Sequence, residues 1–160
     1  MRFFSHLLSF VLTAFLMVAG ALSAAAPVLA ATMPTDSEPL VITTTAGPVS
    51  FGVELALTAA DRATGLMHRQ DMAADHGMLF RFDQTRQVLM WMKNTPLPLD
   101  MLFIDDDGTI VGIAKDTTPF SEAIIASPGP VRYVLELNAG TAERMGIAVG
   151  DVARHRAISE

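Results

Sequence analysis

The stretch from Trp91 to Asp100, WMKNTPLPLD, concentrates side chains that could bind a ligand. Trp91, Lys93, Asn94 and Asp100 supply an indole, an ammonium, an amide and a carboxylate. If residues 87–93 form a strand, Trp91 and Lys93 lie on one face of it. The two prolines restrict the residues before them to extended conformations, so the loop should hold Asp100 rigidly. We therefore predict a pocket for a small polar ligand or a peptide end.

A purely structural interpretation of the same stretch stays open. Lys93 and Asp100 would then form an ion pair without a function, and Trp91 would be a core aromatic. A concave surface beside Trp91 would favour binding, whereas a Trp91 sealed among aliphatic side chains would favour the structural interpretation.

Two further acidic residues interrupt apolar strands. Glu54 lies between Val53 and Leu55, and Glu136 lies between Leu135 and Leu137. If these carboxylates are buried they need partners, because an unpaired buried charge costs several kcal/mol. The cations available to the two carboxylates and to the predicted ligand site are Arg62, Arg69 and Lys93.

The predicted ligand-binding set combines the 91–100 stretch with these charges, as Trp91, Lys93, Asn94, Asp100, Arg62, Arg69 and Glu136. An alternative is a hydrolase of the cell envelope. It would use Glu54, Asp100 or Glu136 as acid and base, with Lys93 stabilising negative charge. The sequence gives no distance between these carboxylates, and whether the protein is an enzyme stays open.

Metal and cofactor chemistry is less well supported. Met90 and Met92 share a predicted strand face, and their thioethers would suit Cu(I), but methionine also fills gaps in a small core. His68 and His76 have no recognised ligand spacing. Asp105-Asp106-Asp107 lacks the alternation of a calcium loop. We predict no metal site and no cofactor.

The elements that must position these residues are mostly strands. Short apolar runs rich in Val, Ile and Phe alternate with Gly, Pro and Asp turn signals, which is typical of a sandwich or barrel. Asp106-Asp107-Gly108 and Gly47-Pro48 are predicted turns. The predicted strands are Leu40–Thr45, Val49–Ala56, Gly77–Phe82, Gln87–Lys93, Met101–Ile104, Thr109–Lys115, Ala123–Ile125, Tyr133–Leu137 and Asp151–Ile158.

Two short helices complete the prediction. The first covers Ala59–Met67, with Thr58 as N-cap and Asp61 as the acid of a capping box. The second covers Thr141–Met145 and ends before Gly146, a residue suited to a C-terminal cap.

Three segments carry a family resemblance: GLMHR at residues 65–69, WMKNTPLPLD at 91–100 and VLELNAG at 134–140. Together they resemble the DUF192 family of small single-domain proteins. The family pattern ERxxGLMxR is matched from Asp61, which stands where glutamate is usual. The resemblance covers nearly all of Val53 to Val152. It implies a compact, mainly antiparallel jelly-roll-like barrel or sandwich with two short helices.

The N-terminal residues predict export. Arg2 and His6 precede an apolar run and a small-residue tract, which is typical of a signal peptide over residues 1–30, cleaved after Ala30. The run is too short to span a bilayer, so no stable membrane insertion is expected after cleavage. Residues 31–39 are predicted to be a flexible leader and residues 40–160 one domain. The protein would be periplasmic or extracellular.

Composition narrows the partners and the chemistry. The net charge is −6 and the basic residues are scattered, so nucleic acid is not an expected partner. The chain has no cysteine, which excludes disulfides and thiol catalysis.

Overall fold

The computed structural model describes residue 30 and residues 32–158, and this part of the chain is mainly β, as predicted. The short helices are α1 (Ala59–Thr64) and α2 (Thr141–Arg144), and a 3-10 turn covers Arg156–Ile158. The strands are β1 (Leu40–Thr44), β2 (Gly47–Ala56), β3 (His76–Met90), β4 (Leu99–Ile104), β5 (Ile110–Ala114), β6 (Ile125–Asn138) and β7 (Val152–Arg154).

The seven strands form one sheet in the order β5-β4-β6-β3-β2-β1-β7. All neighbouring strands of this sheet run antiparallel except β2 and β3, which are parallel. The sheet curls until its edges meet. An isolated bridge joins Thr109 to Val152, and the amide of Ala153 donates to the carbonyl of Gly108 at 2.8 Å. The predicted barrel-like architecture is therefore confirmed.

Two long strands replace four shorter predicted ones. Strand β3 includes the predicted Gly77–Phe82 and continues into the predicted Gln87–Lys93, where it ends at Met90. Strand β6 begins at Ile125, the last residue of the predicted Ala123–Ile125, and continues through Tyr133–Leu137. The β3–β6 pairing shifts register between Arg81 and Arg86, so the polar residues that resemble a turn in the sequence form an irregularity within one long strand.

The sheet buries a different set of side chains on each face. The inner face packs aliphatic residues such as Leu79, Leu102 and Leu135 into the barrel. The outer face carries a second cluster that includes Met78, Phe80 and other residues. Alternation along each strand decides which face a residue joins.

Helix α1 begins as predicted and ends earlier. Thr58 caps it, its hydroxyl accepting from the amide of Asp61 while the Asp61 carboxylate accepts from the amide of Thr58. The helix stops at Thr64 rather than Met67, because Gly65 has φ +47° and ψ −134°. The chain then turns onto the outer face of the sheet.

The segment before β1 contacts the domain, although the sequence predicts a flexible leader over residues 31–39. The amide of Met33 donates to the Glu54 carboxylate at 2.8 Å, the amide of Asp36 donates to the carbonyl of Val53 at 2.7 Å, and the Asp36 carboxylate pairs with Arg156. The predicted signal peptide lies outside the described residues, apart from Ala30.

No helix within residues 32–158 is long and apolar enough to cross a bilayer.

Candidate functional site

A pocket lies on the outer face of the sheet, between the end of α1 and the loop that follows β3. Its volume is about 100 Å³. Aromatic and aliphatic side chains form most of its wall, with a few polar groups among them. The lining residues are Arg62, Thr64, Gly65, Leu66, Met67, Phe80, Phe82, Leu89, Met90, Trp91, Thr95 and Glu136.

Backbone contacts between two of the sequence motifs build this pocket. The amide of His68, in the GLMHR segment, donates to the carbonyl of Asn94 at 2.8 Å. Both residues have positive φ, 65° for His68 and 55° for Asn94, so each marks a sharp turn of the backbone. The side-chain amide of Asn94 also lies 3.9 Å from the sulfur of Met67. Asn94 therefore positions the wall of the pocket rather than lining it.

Gly65 sets the depth of the pocket beside Phe80. A Cβ atom at this position would lie 3.1 Å from Cζ of Phe80. Because the backbone of Gly65 also has a positive φ of 47°, a larger residue would be strained in two ways. The glycine allows the turn to approach the ring closely.

Glu136 is the one acidic residue among those lining the pocket. Only 4% of it is exposed, and its carboxyl group has no hydrogen-bond or ion-pair partner among residues 32–158. Burial raises the pKa of Glu136 from 4.5 to about 8, because the apolar surroundings disfavour the charged form. At neutral pH the group is mostly a protonated acid that can still ionise.

Arg62, also in the pocket wall, is held by other parts of the protein. Its guanidinium donates to the carbonyls of Leu57 and Arg81 at 2.6 and 2.7 Å, and to Asp83 at 3.1 Å. It also lies 5.5 Å from the ring centre of Phe82. These contacts fix Arg62 in the wall of the pocket.

Trp91 borders the pocket and is 44% exposed, so it is neither sealed in the core nor fully solvated. Strand β3 ends at Met90, one residue before it. Lys93 remains beside Trp91 as predicted, with its ammonium 5.1 Å from the ring centre. That ammonium also lies 3.7 Å from Glu122, with both side chains well exposed. Lys93 is therefore a neighbour of the pocket rather than part of its wall.

Asp100 lies away from the pocket. It pairs in register with Leu137, an inner-face residue, whereas its neighbours in β4 belong to the outer cluster. It is fully buried, and its carboxylate accepts from the amides of Asp116 and Ala142, both at 2.9 Å. Asp100 thus ties β4 to the first turn of α2. The predicted association of Asp100 with Trp91 and Lys93 does not occur, because strand alternation turns Asp100 to the other face.

Arg69 forms a buried pair with Glu54. Its two terminal nitrogens reach the two carboxylate oxygens at 2.5 and 2.6 Å. Glu54 also accepts from the amide of Met33. The three carboxylates considered for a hydrolase are therefore dispersed: Glu54 is neutralised, Asp100 lies on the opposite face, and Glu136 is alone in the pocket.

The two methionines considered for copper lie in different environments. The sulfur of Met92 accepts from the hydroxyl of Thr117 at 3.2 Å in the buried outer cluster, whereas Met90 lines the pocket. Among the described residues, no three His, Asp or Glu side chains are arranged to hold a metal ion.

The sequence interpretation included Arg62, Trp91 and Glu136, which line the pocket, but missed most of its apolar wall. Met78, Phe80 and Phe82 occupy every second position of β3, and this spacing predicts that their side chains lie on one face. The sequence could not predict the hydrogen bond between His68, in the GLMHR segment, and Asn94, because these residues lie far apart in the chain.

The fold and the pocket together define a small, mainly β, single-sheet domain with a pocket on the outside of its barrel. The family model DUF192, described as "Uncharacterized ACR", matches residues 41–155. The chain therefore belongs to the DUF192 family.

The solved structures that are similar to this chain include two bacterial proteins. A Sinorhizobium meliloti protein, described as a candidate transcription regulator, is 52% identical with a TM-score of 0.73, and the match covers 78% of this chain and 97% of that one. A protein of unknown function from Novosphingobium aromaticivorans is 38% identical with a TM-score of 0.72, covering 73% and 84%. A comparison with curated proteins finds no match.

Proposed function

We propose that this protein is a binding module that holds a small ligand, or one side chain of a peptide, in the pocket between Trp91 and Glu136. The observation that carries the proposal is the carboxyl group of Glu136. It is buried, it lines a pocket with both apolar and polar walls, and it lacks a partner among the residues that the structure describes. Such a group destabilises a fold unless something outside the protein satisfies it.

The surroundings of the pocket support binding rather than hydrolysis. Acid–base catalysis by carboxylates usually needs a second group poised near the first. Glu54 is held by Arg69 and Met33, and Asp100 by two backbone amides, so neither is free to act with Glu136. The wall combines aromatic and aliphatic side chains with a small number of polar ones, namely Arg62, Thr64, Thr95 and Glu136, and such a combination is typical of ligand sites.

The description of the Sinorhizobium protein raises DNA as another ligand class for this chain. The net charge of −6 argues against it, because binding to the phosphate backbone requires clustered positive charge. We therefore keep a small ligand or peptide as the proposed partner, and we propose no cofactor.

A ligand screen with two readouts tests the proposed function. Trp91 is the sole tryptophan of the chain, so its fluorescence reports on the pocket mouth. Small cationic, neutral and anionic molecules would be screened by fluorescence and by thermal shift, since a ligand at 100 times its Kd adds about 2.7 kcal/mol of stability.

A matched pair of variants in that screen tests whether a ligand binds in the pocket. Glu136→Gln alters the pocket, whereas Glu143→Gln removes an exposed carboxylate on α2 outside it. Hits that disappear in the first variant and persist in the second support the proposal. A screen in which no molecule changes Trp91 fluorescence contradicts it.

We also propose that the protein acts outside the cytoplasm, after cleavage following Ala30. This rests on the apolar and small-residue pattern of residues 1–30 alone. Mass spectrometry of the protein from an envelope fraction should find Ala31 as the N-terminus. An intact Met1 in the membrane fraction would contradict this.

A further inference from the structure

We propose that the pocket recognises an ammonium group carried on an apolar stem, such as a lysine side chain or a free alkylamine, with Glu136 as its counter-ion. This inference rests on the proposed function and names its ligand class. It follows from what lies at the base of the pocket, what forms its wall and what surrounds its mouth.

The base of the pocket offers an acceptor that the protein itself leaves unused. Glu136 is 4% exposed, and no cation among residues 32–158 reaches its carboxyl group. Arg69, one of the cations considered as a partner for the two glutamates, pairs with Glu54, which lies across Met78 from Glu136. A ligand cation would form the charge-assisted hydrogen bond that is missing here.

The wall of the pocket suits a hydrocarbon stem. Leu66, Met67 and Leu89 provide aliphatic surface, and Phe80 provides a ring. A volume of about 100 Å³ fits a chain of a few carbon atoms with a small polar end, not a large or branched ligand. Aromatic faces also attract cations.

The aromatic rings of Trp91 and Phe82 already contact cations of the protein itself. Lys93 lies over Trp91 at 5.1 Å, and Arg62 and Arg86 lie over Phe82 at 5.5 and 5.3 Å. These cations have other partners: Lys93 lies near Glu122, and Arg62 donates to two carbonyls and Asp83.

None of the charged groups that the structure describes around Glu136 pairs with its carboxyl group, so a bound cation could change its protonation. The Glu54–Arg69 pair lies two strands away on the same face, and Arg62 stands at the margin. Burial alone raises the pKa of Glu136 to about 8. Binding of an ammonium ion should therefore displace a proton from this carboxyl group at neutral pH.

Exposed apolar side chains near the mouth extend the surface that a lysine-bearing peptide could contact. Leu89 is 57% exposed and Phe120 is 63% exposed, and the amide of Phe120 donates to the carbonyl of Thr95 in the pocket wall. A free amine would use the pocket alone. The two sources therefore share one chemistry and differ in how much of this rim they use.

Titrations with matched probes test the inference on the whole protein. The first set is n-butylammonium, n-butanol and butyrate, which share a stem and differ in the end group. The second is N-acetyl-lysine methylamide and N-acetyl-norleucine methylamide, which differ by the ammonium group. Binding would be followed by Trp91 fluorescence, and proton release by calorimetry in two buffers of different ionisation enthalpy.

We expect butylammonium to bind at least tenfold more tightly than butanol or butyrate, with proton release at pH 7. Glu136→Gln should abolish the preference for the cation, and Glu143→Gln should retain it. Tighter binding of the lysine amide than of butylammonium identifies a protein side chain as the source, and the reverse identifies a free amine.

Equal or tighter binding of butanol, norleucine amide or butyrate would overturn the inference while leaving a binding pocket intact. A preference for ammonium that persists in Glu136→Gln would overturn it as well. If none of the five probes binds and the broader screen also finds no ligand, the proposed function fails together with it.

Discussion

Glu54 and Glu136 are two buried glutamates in similar sequence surroundings, but only Glu54 has an ion-pair partner among the described residues. Each lies between apolar residues of a strand, and each pairs in register with Met78, so both occupy the same face of the sheet. Glu54 receives both arms of Arg69 and the amide of Met33. Glu136 receives no partner from the described residues and lines the pocket.

The difference comes from the loop after α1, not from the strands. The chain turns at Gly65, lays Leu66 and Met67 over the sheet, and then delivers Arg69 to Glu54. The same turn forms the wall over Glu136 without supplying a charge. One short segment thus neutralises one carboxylate and encloses the other, which distinguishes the ion pair at Glu54 from the proposed binding role of Glu136.

The largest expected effect comes from removing the cation of the paired site. Arg69→Met should destabilise the protein by about 3–5 kcal/mol, because it leaves Glu54 buried without its counter-ion. Chemical denaturation at neutral pH measures this. The double variant Glu54→Gln with Arg69→Met should recover much of the loss. A cost below about 1 kcal/mol would mean that the pair is not a structural clamp.

The unpaired site should behave in the opposite way. The pKa of Glu136 is raised from 4.5 to about 8, so the folded state retains a proton that the unfolded chain loses. Wild-type stability should therefore fall as pH rises from 5 to 8, by roughly 2–4 kcal/mol, relative to Glu136→Gln. Denaturation of both proteins across this range measures the difference. A difference that does not change with pH would show that Glu136 is not an isolated buried acid.

The smallest effect on stability is expected at Lys93, which contacts neither Glu54 nor Glu136. Lys93→Met should change stability by less than about 1 kcal/mol, because the pair with Glu122 is exposed and the contact with Trp91 lies at the surface. Trp91 fluorescence should change because its neighbouring charge is lost. A loss of 3–5 kcal/mol would give Lys93 the structural role assigned here to Arg69.

Much of the fold could be predicted from the sequence, because it depends on local patterns. The capping box of Thr58 and Asp61 and the turn at Gly108 follow from short-range chemistry, and both occur as predicted. The sequence splits β3 at polar residues and β6 at Ser127-Pro128-Gly129-Pro130, because an irregularity within a paired strand resembles a turn in sequence.

The site was predicted less completely, because its parts come from distant segments. Trp91 and Lys93 are neighbours as expected, but they lie in the turn after β3 and not on one face of a strand, because β3 ends at Met90. The link of Asp100 to them assumed that nearness in sequence means a shared face. The need for partners at Glu54 and Glu136 was clear, yet only the fold decides that Arg69 reaches the first and no described cation reaches the second.

We infer that Glu136 is a buried carboxyl group that faces the pocket and has no partner among the described residues. The most direct measurement is a ¹³C NMR titration of the glutamate side-chain carboxyl carbons, with the Glu136 signal assigned by its absence from Glu136→Gln. We predict a midpoint of about 8. A midpoint near the ordinary value of 4.5 would show that the carboxylate is solvated or paired, and would contradict the claim.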